Sequence, residues 1–186
     1  MEYFFELFLG GLTRGSIYAL IALGYTMVYG IVQLINFAHG EIYMIGAFTA
    51  LIVISVLTML GWNQIAILLI AAGVAVVYSS AYGYTMEKIA YKPLRKAPRL
   101  SALISAIGMS LFLQNYVLLA QTSDFMPFPG LIPDFEFMEP YAHIIGSPEL
   151  VILITTAIVM VLLTIMIKFS KIGKAMRATA QDRDMA

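Results

Sequence analysis

Long apolar runs separated by short polar breaks make up this chain. From Phe8 to Ile35 the only interruptions are scattered Gly, Thr and Ser residues, tyrosines, Arg14 and Gln33, and Ile42 to Leu60 carries no charge. A membrane-spanning helix needs about 20 predominantly apolar residues. Five stretches meet that length: 8–33, 42–60, 64–86, 102–121 and 149–168. The pattern predicts an all-α fold, a polytopic transmembrane helix bundle of about five spans.

The most informative break is Asn36-Phe37-Ala38-His39-Gly40-Glu41. An Asn, a His and a carboxylate are costly against lipid and belong in protein, in a water-filled cavity or at the interface. Gly40 can interrupt a helix, and a broken helix at membrane depth survives only where it lines a cavity or is covered. The segment therefore reads either as a short polar turn between two spans or as a broken, re-entrant region near residues 36–41 that faces a polar solute.

Composition narrows the class. Hydrophobic residues make up 61% and charged residues 12%, with a mean hydropathy of +0.87. Soluble domains carry roughly 25% charged residues, so this is a membrane protein. With 0 Cys, disulfides, Cys-based zinc sites and thiol chemistry are excluded. The 2 His residues leave little for a His-rich metal site, and a net charge of zero suggests no nucleic-acid partner. The N-terminus has Glu2 and Glu6 in place of a basic segment, so the first apolar stretch reads as a retained helix, not a cleaved signal.

Basic residues set the expected orientation. Lys88, Lys92, Arg95, Lys96 and Arg99 cluster in a loop at 87–99, and Lys168, Lys171, Lys174, Arg177 and Arg183 near the C-terminus. The 122–148 loop has none and carries Asp124, Asp134, Glu136 and Glu139. The positive-inside rule places loop 87–99 and the C-terminus in the cytoplasm and 122–148 outside. That outer loop, with Pro127, Pro129, Pro133 and Pro140 among Phe125, Phe128, Phe135 and Phe137, reads as a surface for an external partner or a lid.

Small residues recur every fourth position at Ala71, Ala75, Ser79 and Gly83, at Gly11, Gly15 and Ala19, and at Gly46 and Ala50. Such ladders let helix backbones approach closely. The 102–121 span carries Ser105, Ser110, Gln114 and Asn115; Gln114 and Asn115 are costly toward lipid and suit interhelical hydrogen bonds or solute contact, and Ser101 is placed to cap the helix. Residues 170–186 read as a short amphipathic helix with Ile172, Met176, Thr179 and Ala180 on one face, suited to the membrane surface or, given its acidic residues and small side chains, to a partner groove.

Catalytic signatures are missing. Lys168 stands where a phosphate loop ending in Gly173-Lys174 would need Gly. There is no H-E-x-x-H zinc motif and no G-x-S-x-G elbow. His39 and Glu41 alone make a poor hydrolase. No catalytic residue, metal or cofactor is expected. Glu41 in a cavity could instead carry protons, which leaves a proton-coupled secondary transporter of a small polar solute as an alternative, beside a non-transporting structural membrane subunit.

Several blocks carry a family resemblance. Gly15 to Gly30 (GSIYALIALGYTMVYG), followed by Asn36 to Glu41, resembles the LivH-type permeases, membrane subunits of bacterial branched-chain amino-acid ABC importers. Glu87 to Arg95 is similar to their basic loop, Leu103 to Ser110 to their next span, and Gly173 to Asp182 to their coupling segment. The resemblance implies a single transmembrane permease domain over 1–186, with 170–186 a cytoplasmic coupling helix, in the bacterial inner membrane. It implies ATP-driven import of leucine, isoleucine or valine. The implied partners are a second homologous permease, two cytoplasmic ATPase subunits that hydrolyse the ATP, a periplasmic amino-acid-binding protein and membrane lipid. Asn36, His39, Glu41, Ser105 and Gln114 are the candidates for the solute pathway. Gly173, Arg177, Ala178 and Asp182 are those for ATPase coupling. Family members continue past the coupling segment, so the chain reads as a fragment or a truncated form.

Overall fold

The computed structural model describes residues 2–32, 36–94, 97–122, 124, 126–132 and 146–181. Every regular element among them is helical: α1 (Glu2–Val32), α2 (His39–Met59), α3 (Gln64–Met86), α4 (Arg99–Ala120), α5 (Ser147–Phe169) and α6 (Lys171–Gln181). Five are long and apolar enough to cross a membrane, in the order the hydropathy pattern predicts. At 1.5 Å per residue, the 31 residues of α1 reach about 46 Å, more than the hydrocarbon core requires. Their outward surfaces are apolar, with Leu69, Val76, Val77 and Leu119 mostly exposed. Exposed hydroxyls on these helices are satisfied internally. Ser55, Ser80, Thr85 and Thr164 each donate to the carbonyl four residues back, at 2.6–2.9 Å, which removes the penalty of an unpaired donor against lipid.

The chain divides into two units, Met1–Gln33 with Ile132–Ala186, and Leu34–Leu131. In the second, α2 and α3 form a helical hairpin. Gly61, at φ +71°, closes α2. Its N–H donates to Thr58 O (3.1 Å) and that of Trp62 to Leu57 O (3.3 Å), a pair of bonds that satisfies the last carbonyls of α2 and needs a left-handed residue between them. Asn63 then caps α3, its Oδ1 accepting from Ile65 N at 2.9 Å.

The predicted small-residue ladder is part of the hairpin seam. A Cβ on Gly46 would fall 2.6 Å from Ser79 Oγ, and one on Gly83 would lie 3.8 Å from Ile42 Cδ1. Further along, Ala71, Ile54 and Ile67 form a buried cluster with Ala50 packed on it. A second cluster, Ala38, Ile45, Met86, Leu113 and Val117, joins α2, α3 and α4. By contrast, a Cβ at Gly11 or Gly15 would meet nothing within 4 Å, so that ladder faces outward from the chain.

The structure departs from the sequence reading at both ends of the basic segment. Residues 87–94 are not loop. They prolong α3 as a π-helical turn, Glu87–Tyr91, and a 3₁₀ turn, Lys92–Leu94. The Lys88 ammonium sits 6.0 Å from the centre of the Tyr84 ring one turn back. Ser101 does not cap α4. The N-cap is Pro98, at ψ 145° and without a side-chain bond. Proline's fixed φ starts the helix there, leaving Ser101 inside the first turn with its N–H on Pro98 O at 2.9 Å. Arg95 and Lys96 lie outside the described residues, as do Phe125, Arg183 and residues 133–145 of the acidic loop.

Candidate functional site

The polar break folds as a turn leading into α2. Asn36 shapes it: Ala38 N donates to Asn36 Oδ1 at 3.1 Å, and His39 N to Asn36 O at 3.1 Å. A short amide side chain that mimics a backbone turn is the reason Asn suits such a position. The same Oδ1 accepts from the Tyr91 hydroxyl at 2.7 Å. Tyr91 belongs to the π-helical turn, a form of helix that recurs at functional sites. The bond therefore ties the break to the end of α3 across 55 residues of sequence.

Glu41 lies in the first turn of α2, where the helix N-terminus favours a negative charge. Its Oε1 accepts from Ser110 Oγ of α4 at 3.0 Å. Ser105, one and a half turns before Ser110, donates to the Ala90 carbonyl of the π-helical turn at 3.4 Å. His39 is half-buried at the helix start. The bonds Asn36–Tyr91, Glu41–Ser110 and Ser105–Ala90 O, with His39 at the start of α2, thus make a polar layer of three separate links among α2, α4 and the prolonged α3. Beneath it lie the buried Ala38, Ile45, Met86 and Leu113.

Of the residues the sequence singled out, Asn36, Glu41 and Ser105 join this network directly. Gln114 is exposed on α4, and Asn115 is satisfied by its own helix, its side-chain amide donating to Leu111 O at 2.7 Å. Sequence reasoning missed Tyr91, hidden in a segment whose Glu and Lys residues read as loop. It passed over the pairing role of Ser110, whose only signal is that it follows Ser105 on an apolar helix.

The other unit holds the C-terminal elbow between α5 and α6. Ser170 Oγ accepts from Gly173 N at 2.9 Å, which caps α6. Gly173 is fully packed: a Cβ there would run into the Ile167 carbonyl and come within 2.7 Å of Met166 O. The Arg177 guanidinium donates to Ile167 O and, at 3.4 Å, to Lys168 O, so it neutralises carbonyls that the end of α5 leaves unpaired. The inward stripe of α6 is Gly173, Met176 and Ala180, and Ile172, expected on the apolar face, is 61% exposed. Close approach at Gly173 turns that face toward α5 and leaves Ile172 outside. Ala178 is exposed, and Asp182 lies outside the described residues. A cavity of about 330 Å³ is bounded by Leu23, Met27 and Gly30 of α1 and by Met176 and Ala180 of α6.

Among the described residues no group of three or more His, Cys, Asp or Glu side chains could hold a metal ion. The polar layer offers hydrogen-bond acceptors and donors and one carboxylate.

Comparison with known proteins agrees with this character. Residues 7–186 match the family described as branched-chain amino acid transport system / permease component. The chain is 47% identical over 187 residues to the high-affinity branched-chain amino acid transport system permease protein BraD of Pseudomonas aeruginosa, covering 98% of this chain and 61% of that protein. It is 48% identical over 189 residues to the permease proteins LivH of Salmonella typhimurium and Escherichia coli K12, covering 99% of this chain and 61% of each. The chain thus spans 61% of the length of the curated relatives it matches. No solved structure matches. With its spans in the expected order and the match running over nearly its whole length, this chain belongs to the family of branched-chain amino acid transport system permease components.

Proposed function

We propose that this chain forms part of the permease of an ATP-driven importer that moves branched-chain amino acids across the bacterial inner membrane. The observation that carries this reading is the polar layer within an otherwise apolar bundle: Glu41 held by Ser110, and Asn36 held by Tyr91. Ionisable and polar groups inside a membrane bundle are rare and commonly mark a solute pathway. A zwitterionic solute needs a carboxylate and hydrogen-bonding groups for its head and an apolar wall for its tail. The names of BraD and LivH supply the substrate class.

Transport proceeds by alternating access, without chemical change to the solute. Glu41 faces the solute's ammonium. Asn36 and His39, at the start of α2, face its carboxylate, and Ser105 and Gln114 border the path. α6 is the coupling helix, with Gly173, Arg177, Ala178 and Asp182 at the joint to the ATPases. Short helices on one side of a bundle pass rigid-body movement to the spans they are joined to. The basic segment 87–99 and the C-terminus lie in the cytoplasm and 122–148 in the periplasm, in accord with the distribution of Lys and Arg. The complex includes a second permease, two ATPase subunits and a periplasmic binding protein.

The test is uptake of radiolabelled leucine into proteoliposomes holding the complete transporter, with and without ATP and a proton gradient. Uptake that requires ATP and the binding protein supports the proposal. Uptake that follows the gradient without ATP overturns it in favour of a proton-coupled transporter working through Glu41.

A further inference from the structure

One turn beyond the polar layer, along the face of α2 that carries Glu41, the helices part around a cavity of about 150 Å³. Ile45, Thr49 and Ile52 line it from α2, Tyr82 from α3, and Tyr116 and Ala120 from α4. Ile45 follows Glu41 by four residues, about 6 Å of helix rise.

The hydroxyls around this cavity are already engaged, and the Gln121 amide is the other polar group that borders it. Thr49 Oγ1 donates to Ile45 O at 2.8 Å. The Tyr82 hydroxyl meets those of Tyr116 and Tyr78, and the Tyr78 and Tyr82 rings pack with centroids 5.1 Å apart. What remains for a guest is mostly aliphatic side chain and aromatic ring surface, with the Gln121 amide beside it. A largely apolar cavity of this size accepts a compact hydrocarbon group about as large as benzene. A branched alkyl group of three or four carbons has that bulk, whereas a charged or amide-bearing group would lose its hydration there.

We propose that this cavity is the side-chain pocket of the permease: it receives the branched aliphatic tail of the transported amino acid while the ammonium group engages Glu41. The inference rests on the transport reading above and adds to it a location for selectivity within the membrane. The pocket ranks solutes by size, with valine, isoleucine and leucine fitting and bulkier side chains excluded.

The test measures uptake of valine, leucine and phenylalanine by the complete transporter with one unchanged binding protein, so that the binding protein's own preference cancels between variants. Ala120→Leu fills the cavity, and Ile52→Ala enlarges it. A methylene more or less in an apolar pocket changes discrimination by roughly tenfold or more. The leucine-to-valine ratio should fall about tenfold in Ala120→Leu, and the phenylalanine-to-valine ratio should rise by a similar factor in Ile52→Ala. If Ala120→Leu fails to reach the membrane, Ile52→Ala decides alone. Wild-type uptake of valine and leucine with ratios unmoved by the variants overturns the pocket and leaves the transport reading standing. Absence of aliphatic amino-acid uptake by the wild type, with the complex assembled and hydrolysing ATP, overturns both.

Discussion

The hydroxyl of Tyr91 donates to Asn36 Oδ1 at 2.7 Å, and that oxygen also accepts from Ala38 N at 3.1 Å. One atom therefore sets the turn before α2 and latches it to the π-helical end of α3. Tyr91→Phe removes only the latch, and Asn36→Ala removes latch and turn together. A typical hydrogen bond contributes about 1 kcal/mol net. Tyr91→Phe should lower uptake by a few-fold at normal membrane abundance and Asn36→Ala by more. The double variant should match Asn36→Ala, because the partner is already gone. Full additivity of the two effects would show that the bond is not what couples them.

Glu41→Gln keeps an acceptor for Ser110 Oγ and removes the charge. Membrane abundance should hold. Uptake should drop at least about tenfold, since hydrogen bonds to charged groups contribute about 1.5–3 kcal/mol and each 1.4 kcal/mol is roughly a factor of ten. Ser110→Ala, which leaves the carboxylate, should cost less. Uptake in Glu41→Gln equal to wild type would remove the carboxylate from the pathway.

Two glycines test close approach in opposite ways. A Cβ at Gly46 meets only the Ser79 hydroxyl, with Ser79 Cβ at 3.8 Å, and that hydroxyl can rotate aside. Gly46→Ala should be tolerated, whereas Gly46→Leu should force α2 from α3 at about 1–3 kcal/mol, typical of overpacking. Thermal denaturation of the purified protein in detergent measures both.

At Gly173 the obstacle is the Ile167 backbone, which cannot rotate out of the way. Gly173→Ala should lower the thermal midpoint of the complex and reduce ATPase co-purification, and the more so than Ala175→Gly at an exposed position of the same helix.

Arg177→Lys separates charge from geometry. Lysine keeps the positive charge near the α5 carbonyls but cannot place a planar fork on Ile167 O and Lys168 O together. Solute-stimulated ATP hydrolysis by the complete transporter should fall in Arg177→Lys nearly as far as in Arg177→Ala. Recovery of most of the activity by lysine would show that charge alone suffices.

The spans were legible because hydropathy alone separates a membrane helix from its surroundings, and α3 begins at the residue expected, Gln64. The turn at Asn36 was legible because polar groups in an apolar run demand a reason. The prolongation of α3 was hidden by its own chemistry: Glu87, Lys88 and Lys92 read as loop, and no local pattern signals a π-helical turn. The partners of Asn36 and Glu41 were out of reach for another reason. They lie 55 and 69 residues away, and one sequence does not say which helix faces give rise to such pairs. At the elbow, the signal was present in the spacing of Ser170 and Gly173, a side-chain acceptor three residues before a packed glycine, but the amphipathic pattern pointed to Ile172 instead.

That elbow has a mechanical meaning. Its capping serine, its filled glycine position and its arginine bonds all fall within the last turn of α5 and the first two of α6. α6 cannot swivel about this joint without breaking several contacts at once. A torque applied to α6 would be carried into α5 rather than absorbed at the joint, as by a crank rather than a hinge.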